Sequence, residues 1–121
     1  MQQEDHGRQA REFLEASDSE FDAGDHLQAS EKLWGAATHA VMAVALQRDW
    51  PCRSHRALSN TVSRLQQEFG ALPLRAGFGV AEKFHRNFYH DEMQDYEIEA
   101  DRPTVHEFVN SLLALLEQPA G

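Results

Sequence analysis

Cysteine is nearly missing from this chain. Cys52 stands alone among 121 residues, so no internal disulfide can form and no cysteine-based zinc framework is available. Basic residues are also scarce, 11 against 20 acidic ones, for a formal net charge of −9. A surface of that sign repels phosphate backbones on average, which disfavours RNA as a partner while leaving room for a local basic patch. No apolar run approaches the roughly 20 residues needed to span a bilayer, and the polar stretch Met1–Arg11 lacks the apolar core of a secretory signal. The expectation is a cytoplasmic protein that does not enter a membrane. No stretch alternates as a strand, and no repeat, low-complexity tract or linker interrupts the chain, so one helical domain is expected over residues 1–121.

What is present is helical periodicity. Ala10, Phe13, Leu14 and Phe21 form a one-sided stripe over Asp5–Phe21. Asp22–Ala23–Gly24 reads as a turn, with Asp25 as a cap and Gln28 completing a capping-box pattern. From Asp25 to Arg48 runs a helix of roughly 24 residues, about 36 Å, apolar over more than half its circumference. Its alanines and Gly35 admit close neighbours, either helices or a second subunit. Trp50–Pro51 ends it. Ser54 caps a third helix with Leu58, Val62, Leu65 and Phe69 inward, closed by Gly70. A fourth runs from Leu74 to about Asp91, where Gly77 and Gly79 predict an irregular first turn. Asp91–Asp101 reads as an acidic loop. Thr104 and Glu107 then open a last helix that stops at Pro119. The fold class that follows is all-α, an up-and-down bundle of four to five helices.

Seven histidines raise the question of a metal. Glu82 and His85 match one Glu-x-x-His unit of di-metal bundles, but no second unit exists, so no metal is expected. Gly77 and Gly79 lack the lysine and the strand of a phosphate-binding loop, and no cofactor is expected. Nothing around Cys52 organises a base and an oxyanion hole. His39 on the central helix suits a buried polar switch or a ligand contact; the structural alternative is a ring hydrogen-bonded at the edge of the apolar arc. Glu82, Arg86 and His90, spaced by four, share one face of the fourth helix, with His85, Asn87 and Tyr89 beside them. A guanidinium that grips phosphate and a histidine that moves protons suit phosphodiester chemistry. The structural alternative there is a Glu82–Arg86 pair on a wet face.

Two of these segments carry a family resemblance. Residues Phe21–Val41, with Gly24–Asp25, Ala29–Lys32 and Ala36–Ala40, resemble the central helix of the HEPN superfamily (higher eukaryotes and prokaryotes nucleotide-binding), small stand-alone prokaryotic members especially. Phe84–His90 is similar to the family's Arg-Asn…His segment. The resemblance implies a homodimer. In catalytic members arginine and histidine from both subunits cleave RNA without metal, which would assign Arg86 to phosphate, His90 to proton transfer and Asn87 to the polar position after the arginine. The Arg–His spacing here is shorter than is usual in that family, and Asp91–Glu92 lie beside the segment.

The function expected first is therefore a small dimeric HEPN-like module, non-catalytic, that binds a protein partner or a nucleotide-like ligand near Trp34, His39, Glu82, His85 and Tyr89. The alternatives are a metal-independent endoribonuclease of toxin type using Arg86 and His90, and a helical adaptor.

Overall fold

The computed structural model describes residues 3–118, so Pro119, read above as the stop of the last helix, lies outside the described residues. Five helices follow one another: α1 (Gln3–Asp22), α2 (His26–Gln47), α3 (His55–Glu68), α4 (Leu74–His90) and α5 (Asp95–Leu116). No strand occurs among the described residues, and none of the helices is long and apolar enough to cross a membrane.

The α2 helix is the axis of the bundle and packs against each of the other four. Its small residues decide how closely they approach. Ala29, Ala36, Ala37, Ala40 and Ala43 are wholly buried, and a Cβ placed on Gly35 would meet the Phe13 ring of α1 at 3.3 Å. The turn from α1 into α2 uses Gly24 at φ 85°, a conformation glycine adopts without steric cost. Asp25 then caps α2 by accepting from the Gln28 amide at 3.2 Å. The Ser17 hydroxyl donates to the Ala29 carbonyl at 2.9 Å, fixing the register of α1 on α2 inside the core. Ser54 caps α3 through the Ala57 amide at 3.0 Å.

Two expectations are corrected. The α4 helix is regular from Leu74 despite Gly77 and Gly79. Gly77 is a point of close approach, where an added Cβ would lie 2.8 Å from Phe108 of α5. The acidic stretch is not a loop over residues 91–101 either. Only 91–94 link the helices, and α5 begins at Asp95 with Pro103 inside it. Pro103 leaves the Glu99 carbonyl without its helical donor, but Glu99 is exposed and water can serve that carbonyl. Three contacts hold the first turns. Ile98 is buried in the core, the Gln94 amide donates to Glu97 Oε1 at 3.2 Å, and Lys83 of α4 reaches Asp101 at 2.6 Å and Glu97 at 3.6 Å. The Asp101 hydrogen bond raises the Lys83 pKa above the ordinary lysine value, with Glu97 adding to it.

Candidate functional site

Trp34 points from α2 into the space between α3 and α4, where it is 8% exposed. Two histidines stack with its indole: His55, from the first position of α3, at 5.9 Å between ring centroids, and His85, from the middle of α4, at 5.0 Å. Phe78 closes the cluster at 5.6 Å from Trp34 and 5.8 Å from His55. A carboxylate orients each imidazole. His55 Nε2 lies 3.0 Å from Glu82 Oε2 and His85 Nδ1 lies 3.2 Å from Glu31 Oε1. Tyr89 meets His85 edge-on at 5.4 Å.

Beside this cluster opens a cleft of about 350 Å³, lined by Trp34, Thr38, Met42, Cys52, Arg53, Ser54, His55, Leu58 and His85. Its volume falls in the range of roughly 300–1,000 Å³ usual for small-molecule sites. The floor is apolar, the walls are imidazole rings, and Arg53 supplies a cation. Such a lining suits a flat, anionic molecule.

The structure therefore gathers Trp34, Glu82, His85 and Tyr89 around one cluster and sets His39 apart. The His39 ring turns toward α1, its Nδ1 2.7 Å from that of His6, with Phe13 5.4 Å away between ring centroids. Burial lowers the pKa of both histidines, and the charge of His6 lowers that of His39 further. On α4, Arg86 and His90 are exposed. Arg86 faces Glu92 at 3.8 Å and Glu82 faces His55, so the local Glu82–Arg86 pair read from spacing is not the one formed. Asn87 is 1% exposed and its polar atoms are engaged within the fold. The side-chain amide donates to Ser30 Oγ at 3.1 Å, and Oδ1 accepts from the Glu92 and Met93 amides at 2.9 and 2.7 Å.

His55, Glu31 and Arg53 are site residues that the sequence reading did not place. Glu31 sits one turn before Trp34 on the same helical face, a spacing that could have flagged it. The closeness of His55 and Arg53 to Trp34 is a tertiary fact with no local signature. Among the described residues, no group of three or more His, Cys, Asp or Glu is placed to hold a metal ion.

Comparison with known proteins gives the family and the fold. A crystal structure of a protein from Sulfolobus solfataricus superposes with a TM-score of 0.80 at 18% sequence identity, covering 90% of this chain and 97% of that one. At that identity the likeness is one of fold. No curated protein matches the chain. The model of the archaeal PaREP1/PaREP8 family matches residues 5–109, which takes in everything from the first helix to the middle of α5, and the chain belongs to that family.

Proposed function

We propose that this chain is a small, non-catalytic helical binding module, HEPN-like and dimeric, whose Trp34 cleft takes a nucleotide-like ligand. One observation carries the reading: the two histidines stacked with Trp34, each held by its own carboxylate, wall a cleft that also contains Arg53. Oriented imidazoles offer flat faces and ring N–H donors to a heteroaromatic ring, and a guanidinium can grip a phosphate with two hydrogen bonds.

The ribonuclease alternative draws less support. Asn87 serves the fold, and Arg86 faces Glu92. The dimer rests on the HEPN resemblance, and the exposed rings of Tyr89 and Tyr96, at 66% and 72%, offer apolar contact area for it.

The test is titration of the purified chain with purine and pyrimidine mononucleotides, followed by amide and imidazole NMR shifts. Saturable shifts at His55, His85 and Trp34 are expected. Arg53→Gln and His85→Gln should each weaken binding about tenfold, the equivalent of about 1.4 kcal/mol. Absence of saturable binding at millimolar nucleotide would overturn the reading. RNA cleavage that disappears in Arg86→Ala would sustain the ribonuclease instead, and light scattering reports the dimer.

A further inference from the structure

Charge is segregated along this acidic chain. Residues 48–75 carry five arginines against two carboxylates, Asp49 and Glu68, while the rest of the chain holds six cations against eighteen carboxylates. The structure sharpens the contrast. Arg8, Lys32, Lys83, Arg86 and Arg102 each meet a carboxylate within the molecule. In the arginine-rich segment only Arg48 does so among the described residues, with Glu68. Arg56 and Arg64 form no ion pair among the described residues, and both are exposed.

These two arginines line one cleft. It measures about 470 Å³, lies along the outer face of α3 and the preceding Trp50–Pro51 turn, and no carboxylate lines it. Arg56, Asn60 and Arg64 follow at intervals of four, so they rise along one helical face over about 12 Å. Ser63 and Gln67 add polar groups. The Arg64 guanidinium sits 3.7 Å from the centroid of the Trp50 ring. Stacking of that kind holds the guanidinium plane in place and leaves its edge N–H groups free to donate.

From these observations we infer that the α3–Trp50 surface binds single-stranded nucleic acid. Arg56 and Arg64 hold successive phosphates, the Trp50–Arg64 stack receives a base, and the side-chain amides of Asn60 and Gln67 meet base edges. Guanidinium, aromatic face and amide side by side are what an unpaired strand requires. An acidic peptide would use the charges alone. The net charge of the chain does not prevent this, because at physiological salt fields from the acidic helices are largely screened beyond about 8 Å. This surface adjoins the Trp34 cleft but has its own lining, Ser54 being the one residue the two share among the described residues.

Fluorescence anisotropy of a labelled single-stranded DNA of about 12 nucleotides, titrated with the full chain at salt from about 50 to 200 mM, tests the inference. Binding should weaken as salt rises. The double variant Arg56→Gln, Arg64→Gln should bind at least tenfold more weakly, with a salt slope shallower by about 1.4. Its helical circular dichroism should be unchanged, since both side chains are solvent-facing. Arg8→Gln, on α1, which does not pack against α3 among the described residues, serves as the control and should bind as the native chain does. No binding at the lowest salt, or equal binding by the double variant, overturns the inference. Equally tight binding of a glutamate-rich peptide, or loss of a dimer in the double variant, would reassign the surface to an acidic protein partner or to a second copy of the chain.

Discussion

The side-chain amide of Asn87 donates to the Ser30 hydroxyl at 3.1 Å, joining α4 to α2 inside the core. The Ser30 hydroxyl donates in turn to the His26 carbonyl at 2.6 Å, while Asn87 Oδ1 accepts from the two amides that begin the link to α5. One buried polar residue thus fixes a helix pair and the exit from α4, where Asp91 takes the left-handed conformation at φ 48°. Asn87→Ala should lower stability by about 2–3 kcal/mol, because a buried group left without its partner costs about 1–3 kcal/mol. Arg86→Ala and His90→Ala, at exposed neighbouring positions, should each change it by less than about 0.5 kcal/mol. Urea unfolding of the three variants measures this. Equal losses at all three positions would contradict the structural role of Asn87.

Two glycines of α4 have opposite expectations. At Gly77 a Cβ would lie 2.8–3.0 Å from Phe108, which is itself buried. Overpacking there outweighs the gain in helix propensity, and Gly77→Ala should lose about 1–2 kcal/mol. Gly79 has nothing within 4 Å of that position, so Gly79→Ala should gain about 0.5–1 kcal/mol. Thermal midpoints that moved the same way in both variants would refute the assignment of Gly77 to a helix crossing.

The boundaries between α1, α2 and α3 were legible because each has a local chemical cause: the Gly24 turn, the Asp25 and Ser54 caps, and the break at Pro51. The start of α5 was not, since six acidic residues and a proline outweighed the only buried apolar residue of the stretch, Ile98. Tertiary contact reverses the local preference there. The same rule separates the legible part of the site from the hidden part. Trp34 and His85 stand out by residue type, whereas the pairing of Glu82 with His55 rather than Arg86 depends on where α3 lies. Ile98→Ala tests the point directly. It should cost about 2–4 kcal/mol, with hydrogen exchange of the 95–102 amides rising more than that of the α2 core. Uniform exchange across both segments would mean that Ile98 does not anchor the early turns of α5.

The His6–His39 contact gives the fold a pH dependence. Burial is the larger cause holding both rings below the ordinary value of 6.5, so the unfolded chain takes up more protons as pH falls through that region. The contribution is full above about 6.5 and declines as pH falls toward the lowered folded values. Two charged rings would also lose the Nδ1–Nδ1 hydrogen bond, which needs one donor and one acceptor. The native thermal midpoint should therefore fall further between about pH 7.5 and pH 5 than that of His39→Leu. An equal drop in the two proteins would remove this pair as the source.

The carboxylates behind the Trp34 cleft orient the histidines more than they stabilise the fold. The side chains of His55, Glu82, His85 and Glu31 remain 31–56% exposed, and pairs of that exposure contribute at most about 1 kcal/mol. Glu31 shows the same balance atom by atom: Oε1 faces His85, while Oε2 is buried without a hydrogen-bond partner among the described residues. A residue chosen for stability alone would not leave that oxygen unpaired, since desolvating it costs more than a single weak ion pair returns. A double-mutant cycle with Glu31→Gln and His85→Gln, read by urea unfolding, should give a coupling below about 1 kcal/mol. The same Glu31→Gln change should broaden or shift the His85 ring resonances, because the imidazole loses the partner that sets its orientation. A coupling above about 2 kcal/mol with unaltered ring signals would make the pair a structural strut, and the cleft would lose the feature that marks it as a binding site.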